Sequence, residues 1–84
     1  MNTINDFKLA SFEKKCDFIT RDTDFIATRS LDDVKIYLYH SRDFFVEVQY
    51  SVSFKRVICI HAFKDLKNLY AYAEGVSLND LTLE

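Results

Sequence analysis

The chain of 84 residues has no proline, no tryptophan and a single glycine, Gly75. Phosphate-cradling loops need several glycines to bring backbone N–H groups close to the ligand, so P-loop and dinucleotide-binding chemistry is excluded. Runs of positive charge are also missing. The longest are Lys14-Lys15 and Lys55-Arg56, and the formal net charge is −2. The electrostatic footprint expected of a nucleic-acid-binding domain is therefore absent. Apolar runs extend over only a few residues, far below the ~20 that cross a bilayer as a helix. Met1 to Asp6 lack the basic and apolar segments of a signal peptide. The two cysteines, Cys16 and Cys59, make neither a metal-ligand spacing nor a disulfide framework. The expectation is a reduced cytoplasmic protein with no cofactor and no membrane partner.

What the chain has in quantity is aromatic side chains, eight Phe and five Tyr. Its length fits one domain, residues 1–84, and size scaling lets such a domain bury roughly 64% of its unfolded surface. Rings supply large burial per side chain and help so small a core. They are too numerous for all to be enclosed, which points to a contact surface.

Two periodicities organise the chain. Phe12, Cys16 and Ile19 fall at i, i+4 and i+7, with Ser11 placed as an N-cap, and predict a helix over 11–21. Phe7 and Leu9 are read as extended chain ahead of it; a start at Thr3, with Asp6 three residues on, is the alternative. From Val34 to Phe63 the period is two. Short strands are expected over Phe25–Arg29, Val34–Tyr39, Phe44–Tyr50 and Arg56–His61, the first of them weakly signalled. Asp22-Thr23-Asp24, Ser30 to Asp33 and Ser41-Arg42-Asp43 serve as turns. Leu66, Leu69, Tyr70 and Ala73 return to helical spacing, and Gly75 stands where a left-handed C-cap belongs, so a second helix is expected over 64–74. The sum is an α+β fold: one antiparallel meander of three to four strands, with an N-terminal and a C-terminal helix packed on one face. Val34, Ile36 and Leu38, with Val46 and Val48, are the expected core beneath the helices. The opposite face is expected to carry Lys35, Tyr37, Tyr39, Phe45, Glu47, Val57 and His61.

No constellation identifies a reaction. His61 and Cys59 stand at i and i+2 on one strand face, the minimum for a thiol beside a base, but no third orienting residue accompanies them. Asp22/Asp24 and Asp32/Asp33 are carboxylate pairs in turns, where Asp bonds its own backbone. His40 and His61 lie on different strands without a ligand set for zinc. The aromatic face could stack single-stranded nucleic acid, although its lysines and arginines are offset by Asp43 and Glu47. Tyr and Phe are also the residues that protein interfaces favour. Self-association into a homodimer through this face or an edge strand, or contact with another protein, is the leading expectation. Single-stranded nucleic-acid binding comes second, and a small enzyme built on His61 and Cys59 last. No catalytic, metal-binding or cofactor-binding residue is assigned.

The arrangement Phe7-x-Leu9, Glu13-Lys14, Phe25-Ile26-Ala27-Thr28-Arg29, Leu38-Tyr39, Phe44-Phe45-Val46-Glu47-Val48-x-Tyr50, Ile58, Phe63 and Leu66-x-x-Leu69 resembles a group of short uncharacterised bacterial proteins. In that group a strand ending in tyrosine precedes an aromatic-aromatic-Val-Glu-Val strand, a third strand and a helix rich in Leu and Tyr. The resemblance implies a small cytoplasmic α+β protein and carries no activity. Ser51-Val52-Ser53-Phe54 departs from the group, whose members often have Asp, Asn or Pro in that connection.

Overall fold

Two capping side chains set the start of the fold. In the computed structural model, which describes residues 3–67 and residue 69, Thr3 Oγ1 accepts a hydrogen bond from the Asp6 N–H at 3.1 Å and opens helix α1, Ile4–Leu9. Ala10 is extended, with ψ 158°, and ends it. Ser11 Oγ then accepts from the Lys14 N–H at 3.2 Å and opens helix α2, Phe12–Asp22. Each cap satisfies an amide that its first turn leaves over, and Asp6 and Glu13 add negative charge at the positive end of each dipole. The expectation of extended chain through Phe7 and Leu9 is therefore corrected. The Thr3 cap makes this segment helical, and one face of a helix rather than one side of a strand carries Phe7 inward.

Four strands follow: β1 Asp24–Leu31, β2 Val34–His40, β3 Phe45–Ser51 and β4 Arg56–Phe63. They form one antiparallel sheet in the order β1-β2-β3-β4. The architecture is the α+β meander read from the sequence, with both described helices ahead of the sheet. Of the helix expected over 64–74, Leu66 and Lys67 belong to a 3₁₀ turn, and the part beyond them, apart from Leu69, lies outside the described residues.

The register corrects the expected core. His40 pairs with Phe45 across the connection 41–44, so Tyr39 faces Val46, Tyr37 faces Val48, and Leu38 faces Glu47. Residues opposite one another share a face. Val46 and Val48 therefore stand with Tyr37 and Tyr39, while Ile36 and Leu38 lie on the other side. The number of loop residues decides this. A connection of even length pairs odd with even positions here, and one residue more or fewer would restore the expected grouping.

The helices cover the Val46 face. Phe7, Phe18, Ile19, Phe44, Val46 and Ala62 form the buried cluster, with Ile4, Tyr39, Val48 and Ile60 packed against it. Its centre is a ring triangle: Phe7–Phe18 and Phe7–Phe44 at 5.6 Å, and Phe18–Phe44 at 5.9 Å. Phe44 precedes β3 and belongs to the connection, whose ends are joined by a hydrogen bond from the Ser41 N–H to the Phe44 carbonyl at 2.8 Å. Phe12, assigned to the helix stripe, is exposed; Phe18 and Ile19 provide the buried face of α2. The Lys15 ammonium lies over the Phe7 ring, 5.7 Å from its centre, its stem covering the cluster from outside. The second face is apolar at its centre too, with Ile36 and Leu38 at 3% and 2% exposure.

Both hairpins at the other end of the sheet are joined through Asp33. Its carboxylate accepts from Ser51 Oγ and Ser53 Oγ, each at 2.7 Å, and from the Ser53 N–H at 3.0 Å. Asp32 and Lys55 take positive φ, 54° and 55°, in the two tips, positions more often given to glycine.

Two outcomes are expected. Phe7→Ala removes the shared vertex of the ring triangle and costs about 3–5 kcal/mol, whereas Leu9→Ala on the same helix, 87% exposed, costs within about 0.5 kcal/mol. Equal losses in denaturant titrations would contradict this packing. The hydrogen bonds from Ser51 and Ser53 hold the Asp33 carboxyl below its usual range. A depressed folded-state pKa stabilises the fold above the unfolded value and loses that effect as pH falls through the folded one. Asp33→Asn should therefore lower the thermal midpoint at neutral pH and leave it closer to wild type in acid; a pH-independent difference would refute this role.

A candidate contact surface on the sheet

The rows of the sheet place every candidate residue. On the helix side the rows run Phe25–Tyr39–Val46–Ala62, Thr28–Tyr37–Val48–Ile60 and Ser30–Lys35–Tyr50–Val57. On the second side they run Asp24–His40–Phe45–Phe63, Ala27–Leu38–Glu47–His61, Arg29–Ile36–Gln49–Cys59 and Leu31–Val34–Ser51–Arg56. The structure thus divides the expected surface. Lys35, Tyr37, Tyr39 and Val57 share the helix side; Phe45, Glu47 and His61 share the other. The assignment of Val57 to the same side as Cys59 and His61 fails because β4 carries a bulge. The pairing moves from Gln49–Cys59 to Tyr50–Val57, leaving Ile58 as an extra residue. A second irregularity, between Phe25 and Ala27, makes Ile26 the extra residue of β1.

The buried cluster engages Val46, Val48, Ile60 and Ala62 on the β3–β4 half of the helix side. Tyr39 of β2 packs against the edge of this cluster, and beyond it the rings come to the surface. Phe25 is 57% exposed, and its ring meets Tyr39 edge-on at 5.7 Å and Tyr37 at 6.4 Å. Tyr37, Tyr39, Tyr50 and Val57 are half-buried, and Lys35 is exposed beside them. Phe25 is the member missed from sequence. Its strand is short in pattern, and strict alternation back from Ala27 would have set Phe25 opposite His40 on the second side; the bulge at Ile26 returns it to the tyrosines. Burial pushes the Tyr39 hydroxyl above the ordinary tyrosine range, with the neighbouring Tyr37 phenol adding to it.

Rings also cluster on the second side. His40 stacks on Phe45 at 4.6 Å, Phe45 on Phe63 at 5.6 Å, and His61 on Phe63 at 5.7 Å. Their interplanar angles are 26°, 19° and 21°, so the row is close to parallel. Phe45 is therefore the partner of His40 and Phe63, not of the tyrosines, and His61 joins the row through Phe63. His61 is a stacking residue at the rim, next in its row to the buried Glu47. Cys59 is exposed on β4 and Cys16 half-buried on α2. Among the described residues no group of three or more His, Cys, Asp or Glu converges to hold a metal ion. A shallow groove on α2 is lined by Lys14, Asp17, Phe18, Arg21 and Asp22, mixed in charge and open to water. No helix among the described residues is long and apolar enough to cross a membrane.

The phenols provide a direct check. With ring-labelled tyrosine, the Tyr39 resonance should titrate above the pH at which free tyrosine ionises, and Tyr37→Phe should move it part of the way back. Titration of Tyr39 at the free value would show that its ring is not packed as described. Comparison of the chain with protein-family models, with curated proteins and with solved structures gave no match.

Proposed function

We propose that this chain is a protein-interaction module that pairs with a second copy of itself through Phe25, Tyr37 and Tyr39, with Lys35, Tyr50 and Val57 at the margin. The observation that carries this reading is the exposed Phe25 ring seated against two half-buried tyrosines, at the edge of the buried cluster against which Tyr39 packs. Rings of this kind bring large contact area with few torsions to freeze, and they dominate the centres of protein interfaces. A two-fold axis over the patch would place the same rings against one another, as a self-complementary interface requires.

A catalytic reading has less support. His61 is occupied in stacking on Phe63, and Cys59 is exposed on the row beyond it. Nucleic-acid binding by the tyrosines would require a positive surround, whereas their sheet rows contribute Lys35 in a chain of net charge −2.

Light scattering on the intact chain tests the proposal. The expected mass is that of a dimer, and Phe25→Glu is expected to give a folded monomer whose unfolding midpoint no longer depends on protein concentration. A wild-type monomer across the accessible concentration range would overturn it. So would salt-sensitive capture of a single-stranded oligonucleotide that Phe25→Glu abolishes.

A further inference from the structure

At the end of the sheet remote from Phe44, the tips of the β1–β2 and β3–β4 hairpins stand side by side, held together by Asp33. Hairpin tips that face water are ordinarily polar. This pair presents Leu31, Val52 and Phe54 at 58%, 48% and 73% exposure.

The tip of the second hairpin needs little from water. The Val52 N–H donates to the Asp33 carbonyl at 2.9 Å, the Ser53 N–H to Asp33 Oδ1 at 3.0 Å, and the Phe54 N–H to Ser51 Oγ at 3.1 Å. The Ser51 and Ser53 hydroxyls are spent on the Asp33 carboxylate. Three successive amides and two hydroxyls are therefore satisfied within the protein. Satisfying these donors internally lowers the cost of moving the tip out of water, a cost that falls on every unpaired backbone group entering a lipid interface.

The charges beside these side chains are mainly basic. Lys55 and Arg56 follow Phe54, and Lys35 stands one strand away, paired with Tyr50. The Arg56 guanidinium lies 5.8 Å from the centre of the Phe54 ring, so the charge and the apolar group act at one place. The acidic groups here are Asp32 and Asp33, whose hydrogen bonds from neutral donors keep its carboxylate ionised, so the tips carry three cations against two anions, with the two residues that follow Phe54 both basic.

We propose that this end of the sheet docks on the surface of an anionic bilayer. Phe54, Val52 and Leu31 enter the boundary between headgroups and acyl chains, and Lys55, Arg56 and Lys35 meet the lipid anions. No spanning segment is involved; the mode is interfacial, apolar insertion combined with local positive charge. A narrow protruding tip suits a deformable lipid surface, whereas a protein partner would need a matching cavity.

Co-sedimentation of the intact protein with vesicles is the test, using phosphatidylcholine alone and phosphatidylcholine mixed with phosphatidylserine. Wild type should pellet with the mixed vesicles at low salt and be released as salt rises. Phe54→Ser should weaken partitioning roughly tenfold while leaving the circular dichroism spectrum and unfolding midpoint unchanged. Replacing Lys55 and Arg56 by Gln should remove the preference for phosphatidylserine. Phe25→Glu should pellet as wild type does, which separates this surface from the dimer patch. Absence of wild-type pelleting with mixed vesicles, or equal pelleting of wild type and Phe54→Ser, would overturn the proposal. Loss of dimer mass in Phe54→Ser without vesicles would overturn it as well, because the tip would then be a contact between copies.

Discussion

Everything about this sheet depends on the parity of one connection. Because His40 meets Phe45 across an even number of residues, the tyrosines of β2 join the valines of β3, and the aliphatic residues of β2 join Glu47 and Gln49. A strand has only two faces, so this single choice assigns every side chain of β2 relative to β3 and β4. It also separates two aromatic groups, one of Phe25 with Tyr37 and Tyr39, the other of Phe45 with Phe63 and two histidines. The connection is fixed in turn by Phe44, which is not a strand residue. Its ring completes the triangle with Phe7 and Phe18, so the residue that sets the register is also the one that fastens the helices to the sheet. Ring pairs of this geometry add about 0.5–1.5 kcal/mol each beyond the area they bury, an appreciable share of the stability of a domain this small.

The fold class was legible because local signals agreed. Alternation from Val34 onwards gave the strands, turn residues gave the connections, and the short links implied a meander. Ser11 was recognisable as a cap, and α2 begins one residue after it. The earlier helix was readable only as an alternative. Six residues are too few for a periodic stripe, and the Thr3 cap with Asp6 was the one mark it left. Which face lay inward was not legible, because each strand of the central pair carries apolar residues on both sides. Alternation within a strand says which residues go together, and pairing between strands says which groups meet. The second needs loop length to the residue, and Phe44 reads equally well as the first residue of β3 or the last of the loop.

The candidate surface was legible in kind and in part. Tyr37 and Tyr39 are adjacent on one face of β2 whichever way it turns, so an aromatic group was certain to arise there. Its companions depended on the two bulges. The bulge at Ile58 brings Val57 to the tyrosine side, and the one at Ile26 brings Phe25 there. An extra residue in an edge strand leaves no mark in the hydrophobic pattern, since it reads as a short lapse in alternation. The Asp33 clamp was likewise hidden. Asp32-Asp33 looked like ordinary turn acids, and only the neighbouring hairpin, some twenty residues later in the chain, shows what the second of them holds.

The two bulges also bear on how this molecule meets others. β1 and β4 are the outer strands of the described sheet, and each is interrupted once, at an isoleucine left 47% exposed. An incoming strand hydrogen-bonds a regular ladder of alternating donors and acceptors, and a bulge puts that ladder out of phase partway along. The sheet is therefore poorly suited to lengthening sideways into a continuous stack of copies, even though it is rich in the β-forming residues from which such stacks are made. The bulges thus disfavour growth through the edges of the sheet.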